Sequence, residues 1–283
     1  MSRASLPAAW RHVAAPYGYG DHVAFHPGFG VLLTRLLEHR GTSIKHLSSS
    51  SAVPESELRS ILGGGPVHDP QLRALAPALG LHTADLFVIA DVPVPEDLRP
   101  LDREAGTFLV GSLLRTMLVL PSEQRLRIHR LVDQLPQAPR PRTDPAKPPR
   151  TYEREKAGIG AMLLGMLCDN RNLHSPVAAA KTVTTLTQGR VYLAASTYAG
   201  IGSGRVAVRP EWVSGFATTL GISADDLAVI TGIGLPDTPP PDDPLAGEMA
   251  ELIWKFRRLS AAQAEHVSGE AKAMLVVVPE DGP

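Results

Sequence analysis

Few side chains in this sequence have the types and the spacing that metal or covalent chemistry requires. Asp21, His22 and His26 form an Asp-His-x-x-x-His pattern, and these residue types bind transition metals. The pattern lacks the further ligands that complete a structural zinc site, because the other histidines are scattered and Cys168 is the single cysteine. We therefore interpret the three residues as polar side chains of an N-terminal arm and expect no metal site.

Two glycine-rich segments and the cysteine are the other candidates for chemistry. The glycines at 28–30 and 200–204 follow no predicted strand, and neither segment ends in the Lys-Ser/Thr pair of a phosphate-binding loop. Cys168 lies at helical spacing from Met162, Leu163 and Leu167, which is typical of a core position. The sequence has no recognisable Ser-His-Asp or Cys-His order. We expect neither an enzyme nor a bound cofactor.

The composition favours a helical, cytoplasmic protein. Of 283 residues, 43% are hydrophobic, which is enough to form a buried core, and only 5% are aromatic. The 26 prolines and 25 glycines interrupt the chain often, so the helices are expected to be short. One cysteine excludes an internal disulfide, and no apolar run has the length of a membrane span or the position of a signal-peptide core. The net charge of -1 gives no overall attraction to nucleic acid. Binding of nucleic acid would therefore need a local basic patch.

The chain contains an internal repeat. Residues 72–95 and 213–236 align at a constant offset of 141 with eight identities in 24 positions, where chance would give about two. Upstream, an offset of 133 superposes only residues of apolar character, namely Leu47 on Ala180, Val53 on Leu186, Leu58 on Val191 and Ile61 on Ala194. We interpret the pattern as the duplication of one supersecondary unit.

Apolar periodicity, capping residues and glycine stops predict five short helices in each half. In the first half they span residues 29–40, 43–50, 54–62, 70–79 and 83–91. In the second half they span residues 153–170, 175–184, 187–198, 210–220 and 223–231, with a longer loop at 200–209 between the third and the fourth. Further helices are predicted within 96–135, broken at Pro100 and Pro121, and from residue 245 onward.

An apolar stripe and a proline-rich segment complete the predicted organisation. We expect the stripe either to clamp the two repeats together or to form a homodimer, and it consists of Leu245, Met249, Leu252, Ile253, Phe256 and Leu259. Residues 136–150 contain six prolines and four basic residues, which is typical of a semi-stiff linker. The predicted domains are an arm at 1–28, a first unit at 29–135, a linker at 136–152 and a second unit at 153–283.

The first unit resembles the lambda-repressor/Cro-like helix-turn-helix proteins, also called the XRE family. The resemblance rests on LLEHRGTSIKHLSSSSAVPESELRSILGGG and PQLRALAPALGLHTADL, residues 36–65 and 70–86. These segments carry an Arg-Gly at the end of helix one, a small-residue-plus-valine turn and a closing Ala-Leu-Gly-aliphatic-x-x-x-Asp-Leu pattern. The second unit resembles the family mainly through the repeat. The resemblance implies an all-α fold of two helix-turn-helix units, each with trailing amphipathic helices.

The resemblance also implies which residues contact DNA. The third helix of such a unit enters the major groove, while the second helix and nearby loops hold phosphates. Carried onto this chain, the base-facing residues are Glu55, Ser56 and Arg59 in the first unit and Gln188, Arg190 and Leu193 in the second. The further contact residues are Lys45, Lys181, Thr187, Arg205 and Arg209.

The two units differ in their chemical suitability for DNA. The family often has a glutamine at the start of helix two, where this chain has Ile44 and, by the repeat, Val177. Glu55 and Glu57 on the expected recognition helix of the first unit would be repelled by phosphates, unless one accepts a hydrogen bond from a cytosine amino group. We therefore expect the second unit to be the better reader.

The sequence as a whole predicts a DNA-binding transcriptional regulator. Two recognition helices in one chain imitate a repressor dimer, so we expect it to read double-stranded DNA at a bipartite and asymmetric operator. The alternative is a protein-interaction module derived from a helix-turn-helix duplication that no longer binds DNA. The near-neutral charge and the acidic third helix of the first unit favour this alternative.

Overall fold

A computed structural model shows an all-α protein, as the sequence predicts. It describes residues 27–106, 109–140, 152–237 and 243–275, and these residues contain helices and no strands. The Asp-His-x-x-x-His pattern at 21–26 and most of the N-terminal arm lie outside the described residues. Among the described residues no single helix is long and apolar enough to cross a membrane. Two consecutive helices, Asp69–Ala78 and Thr83–Ile89, pass that test only as a pair bent by 117°.

In the described part of the chain, seven α-helices precede the proline-rich segment. Five of them form what we call the first repeat: α1 (Phe29–Arg40), α2 (Ile44–Ser51), α3 (Glu55–Leu62), α4 (Asp69–Ala78) and α5 (Thr83–Ile89). A short 3₁₀ turn at Glu96–Leu98 leads to α6 (Leu109–Val119) and α7 (Ser122–Gln134). Local signals explain the boundaries. Gly41 ends α1 in the left-handed conformation, and the Ser43 hydroxyl caps α2 by accepting a hydrogen bond from the His46 amide.

Seven further helices follow in the same order. The second repeat consists of α8 (Arg154–Gly165), α9 (Pro176–Leu186), α10 (Ala195–Gly202), α11 (Pro210–Leu220) and α12 (Ala224–Thr231). The chain then forms α13 (Pro244–Phe256) and α14 (Ala261–Leu275). The same packing occurs in both repeats: the first helix lies on the third, the second on the third and fourth, and the fourth on the fifth.

The first helix contacts the third helix at a glycine in both repeats. A Cβ atom at Gly30 would overlap the carbonyl oxygen of Ile61, and a Cβ atom at Gly160 would overlap that of Ile201. These glycines are 130 residues apart. Arg40, the last residue of α1, and Arg171, the residue after the end of the π-helical turn that continues α8, are 131 apart. The difference of one residue is taken up by a π-helical turn, Met166–Asn170, because a π turn holds one residue more than an α turn.

The two repeats exchange contacts reciprocally. Helix α1 packs on α12, the fifth helix of the second repeat, while α8 and its π-helical turn pack on α5. An ion pair marks each of these contacts. Arg40 binds Asp226 at 2.6 Å, and Arg171 binds Asp85 at 2.6 Å. Because Asp85 and Asp226 are equivalent in the sequence repeat, the two contacts are related by an approximate twofold operation.

The two ion pairs differ in burial. Arg40 also donates to the carbonyl of Leu79, and Arg171 donates to the equivalent carbonyl of Leu220. The side chains of Arg171 and Asp85 are 1% and 0% exposed, whereas those of Arg40 and Asp226 are 29% and 13% exposed. One face of the pseudo-twofold interface is therefore dry and the other is partly hydrated.

An aromatic side chain from α13 covers the buried ion pair. The ring of Trp254 stacks on the imidazole of His82 at 3.6 Å and lies beneath the guanidinium groups of Arg171 and Arg257. Burial lowers the pKa of His82 to about 4, with Asp85 opposing this effect and the two arginines adding to it. The imidazole is therefore neutral at pH 7.

The trailing helices pack together into what we call the trailing bundle, α6, α7, α13 and α14. The apolar stripe of α13 is buried inside this bundle and against α11, with Met249 and Phe256 at 0% and 1% exposure. The stripe therefore packs within its own chain, against α11 of the second repeat and against the other trailing helices. The first residues of the proline-rich segment are also held, because Arg140 donates to the carbonyls of Glu96 and Pro100.

Candidate nucleic-acid interface

The connection between α9 and α10 is longer than its counterpart in the first repeat. Residues 52–54 join α2 to α3, whereas residues 187–194, which we call the expanded turn, join α9 to α10. The N-cap residues Ser43 and Ser175 are 132 apart, and the N-cap residues Pro54 and Ala194 are 140 apart. The second repeat therefore has eight additional residues between these two caps, of which three lengthen α9 and five lengthen the turn.

The predicted third helix of the second unit, residues 187–198, is consequently wrong. Gln188 and Gly189 both have a positive φ, which ends α9, and α10 begins only at Ala195. The sequence did contain the signal, since the change of offset from 133 to 141 requires an insertion of eight residues. The sequence predicts a longer loop at 200–209, after the third helix, but the structure has the additional residues before the third helix.

The expanded turn is held by an internal network of hydrogen bonds. The buried Thr187 hydroxyl donates to the Val183 carbonyl at 2.8 Å and accepts from the Val191 amide at 3.1 Å. The Gly189 amide donates to the Thr184 carbonyl at 2.8 Å. Val191 and Leu193 are buried and anchor the segment to the core. These contacts fix the backbone of the turn before any ligand arrives.

The side chains between the anchors point outward. Gln188, Arg190 and Tyr192 are exposed, and Tyr192 at 77% has the highest exposure among the large apolar side chains of the described residues. Gln188 donates to the carboxylate of Asp243 at 3.0 Å, and Arg190 donates to the Thr187 carbonyl at 3.1 Å. The turn therefore presents one cation and one aromatic ring to solvent on a fixed backbone.

The residues predicted to face bases in the second unit are thus on the turn and not on a helix. Gln188 and Arg190 remain accessible, but Leu193 is only 8% exposed and Thr187 only 3%. Leu193 and Thr187 are consequently anchors of the turn, because their side chains are not available to a ligand. The first residues of α10, at 195–197, are Ala, Ser and Thr and carry no charge.

Three further predicted contact residues lie on the elements before and after this turn in the chain. Lys181 is exposed on α9, Arg205 is exposed just after α10, and Arg209 is the exposed N-cap residue of α11. Arg205 donates to the Ser203 hydroxyl, while the Arg209 guanidinium lies 3.9 Å from the carboxylate of Glu211 and 5.2 Å from the centre of the Trp212 ring. The sequence between Asp169 and Glu211 contains no Asp or Glu. Four exposed cations therefore share a stretch of chain that has no carboxylate of its own.

The corresponding surface of the first repeat has a different charge. Lys45 is exposed on α2, and Ser56 and Arg59 are exposed on α3. The Arg59 guanidinium forms an ion pair with Glu55 at 2.5 Å, one turn earlier on the same helix. Glu57 is also exposed and accepts a hydrogen bond from Gln71. The two carboxylates at the start of α3 neutralise the two cations of this surface.

The other candidates for chemistry have packing roles among the described residues. Cys168 is buried, and the described residues contain no group of three or more side chains that could hold a metal ion. Gly200 and Gly202 lie inside α10 and make room for Val206 and Tyr152, so this glycine run is not a phosphate loop. The sequence of the chain matches no family model and no curated protein, and its fold matches no solved structure.

Proposed function

We propose that this protein is a DNA-binding transcriptional regulator whose two five-helix repeats form an internal pseudo-dimer. The sequence of α2–α3, and that of α9–α10 through the repeat, resembles the DNA-contacting part of the lambda-repressor/Cro-like family. The second repeat is the principal DNA-binding unit. The first repeat contributes mainly to assembly, because its α3 surface is electrically balanced.

The observation that carries this proposal is the charge of the second helix-turn-helix surface. Lys181, Arg190, Arg205 and Arg209 are exposed between residues 170 and 210, where the chain has no carboxylate. Phosphates of duplex DNA are attracted to such a surface even when the whole protein has a net charge of -1. A protein partner of opposite charge would need an unusually acidic surface.

The reciprocal packing of the repeats supports a bipartite site. Repressor dimers place two recognition elements about one helical turn of DNA apart by a twofold interface. Here α1 packs on α12 and α8 packs on α5, so a twofold-like interface exists within one chain. Because the two surfaces differ in charge, the expected operator is asymmetric, with one dominant half-site.

Selection of bound duplexes from a randomised pool tests the proposal. We expect enrichment of a defined sequence, and fluorescence anisotropy on that duplex should show affinity falling steeply with salt. If all four cations contact phosphates, the slope of log K against log salt concentration is about -3.6. Lys181→Gln should reduce the magnitude of the slope by about 0.9.

Arg130→Gln is a matched control for the charge effect. Arg130 is an exposed arginine on α7 of the trailing bundle, outside both helix-turn-helix surfaces. The control should leave the slope unchanged. Absence of any enriched sequence together with salt-independent binding would refute the proposal.

The second candidate function is a protein-interaction module, and the acidic start of α3 favours it. Glu55 and Glu57 offer carboxylates on the surface where the family binds DNA. Glu57→Gln distinguishes the two functions. It should strengthen DNA binding slightly if α3 lies near phosphates, and should weaken capture of a basic protein partner if α3 is a docking surface.

A further inference from the structure

We infer that the expanded turn, and not α10, is the base-contacting element of the second repeat, with Arg190 and Tyr192 reaching the base edges of duplex DNA. This inference rests on the proposed function and deepens it. It concerns the element that reads the DNA, which differs from the third helix that the family resemblance implies.

Helix α10 lacks the side chains that read bases. Its sequence is ASTYAGIG, in which Tyr198 and Ile201 are 0% exposed and belong to the core. Gly200 and Gly202 are also buried, so the part of α10 that reaches solvent consists of alanine and the short hydroxyls of Ser196 and Thr197. Bidentate recognition of guanine or adenine needs the fork of an arginine or the amide of an asparagine or glutamine. No residue of α10 is of these types.

The expanded turn supplies the base-contacting side chains that α10 lacks. Arg190 has the guanidinium that pairs with guanine, and Tyr192 has an exposed ring that can stack on bases or contact a thymine methyl group. Val191 and Leu193 are buried on either side of Tyr192, so the alternation of anchors and projecting residues holds both side chains outward.

The surroundings of the turn fit a polyanion. Lys181 is exposed on α9, which leads into the turn, and Arg209 is exposed at the start of α11, the helix on which Val191 packs at Gly215. Cations of this kind bind phosphates. Among the described residues, the carboxylate of Asp243 accepts a hydrogen bond from the turn, and Gln188 is the donor. The turn and its flanking helices therefore fit duplex DNA. Lys181 and Arg209 bind its phosphates, and Arg190 and Tyr192 contact its bases.

Equilibrium binding of five single variants tests the inference. On the selected duplex, Arg190→Gln and Tyr192→Ala should each raise Kd about tenfold or more, as loss of one good base contact does. Ser196→Ala and Thr197→Ala remove the exposed hydroxyls of α10, and each should change Kd by less than about twofold. Tyr192→Phe should retain most of the affinity if the ring is the contacting group.

A second duplex of the same length and scrambled sequence separates base contact from phosphate contact. Arg190→Gln should reduce the preference for the selected duplex over the scrambled one, whereas Lys181→Gln should weaken both equally. Both side chains at the turn are exposed, so thermal unfolding of the variants should match the wild type.

The outcomes are distinct. If the wild type binds no duplex, the proposed function fails and the inference fails with it. If the wild type binds a selected duplex and the α10 variants lose affinity while Arg190→Gln and Tyr192→Ala do not, the inference alone is overturned and α10 is the reading element.

Discussion

Removing the carboxylate of Asp85 should destabilise the protein far more than removing that of Asp226, although the two are equivalent in the repeat. Asp85 is fully buried and accepts hydrogen bonds from Arg171 at 2.6 and 2.7 Å and from Asn170 at 2.8 Å. Asp85→Ala leaves the buried Arg171 guanidinium without a counter-charge. Breaking a buried pair in this way costs about 3–5 kcal/mol of unfolding free energy.

The exposed counterpart provides the control. Burial alone would raise the pKa of Asp226, and the hydrogen bonds from Arg40 and Ser223 overcome that effect and lower it. Water reaches both side chains of this pair, which are 29% and 13% exposed, so Asp226→Ala should cost only about 1 kcal/mol.

Urea unfolding followed by circular dichroism measures both losses at matched pH and salt. A double variant, Asp85→Ala with Arg171→Met, should recover a large part of the lost stability, because an apolar side chain of similar length removes the unpaired charge. Equal losses for Asp85→Ala and Asp226→Ala would refute the reasoning, since burial would then not decide the strength of these contacts. Failure of the double variant to recover stability would refute the account based on unpaired charge.

Three further predictions follow from packing and burial. Gly160→Ala should destabilise the fold by about 1–3 kcal/mol in urea unfolding because its Cβ overlaps a backbone carbonyl, whereas Gly247→Ala, with no atom within 4 Å, should be neutral or stabilising. Phe256→Ala should lower the free energy of unfolding by about 3–5 kcal/mol, because the ring is buried within the trailing bundle, and a variant of unchanged stability would contradict this packing role. Light scattering of the wild type should give the mass of one chain at all concentrations. Because the pKa of His82 falls to about 4 on folding, the unfolded chain binds more protons between pH 6.5 and about 4, so stability is lost as the pH falls through that range. As the pH is lowered from 7.5 to 5, His82→Phe should therefore gain stability relative to the wild type. A difference in unfolding free energy between the two proteins that does not change with pH would contradict this linkage.

Much of the fold could be predicted from the sequence because short-range signals determine its helices. The apolar spacing and Gly41 predict α1, and the Ser43 cap predicts α2 to within a residue. The expanded turn could not be placed in the same way. The apolar character of Val191 and Leu193 fits a helix face as well as a pair of loop anchors, and only the positive φ of Gln188 and Gly189 distinguishes them.

The ion pairs show a second limit of prediction from sequence. The identity of Asp85 and Asp226 is visible in the repeat, but their partners lie 86 and 186 residues away in the chain. No local rule indicates that the first helix of one repeat binds the fifth helix of the other. The charge of the candidate interface could be read directly, since it depends only on which residues occur between 170 and 210.

The reciprocal packing of α1 on α12 and of α8 on α5 has a consequence for gene dosage. A repressor built from two separate subunits dissociates when its cellular concentration falls, so its assembly depends on the second power of expression level. Here the partner surfaces are tethered in one polypeptide, where the effective concentration is set by chain geometry. Assembly is therefore complete in a single molecule. One copy per cell already contains the whole twofold-like interface. In a homodimer every substitution at the interface appears on both sides, whereas here each repeat can change independently of the other.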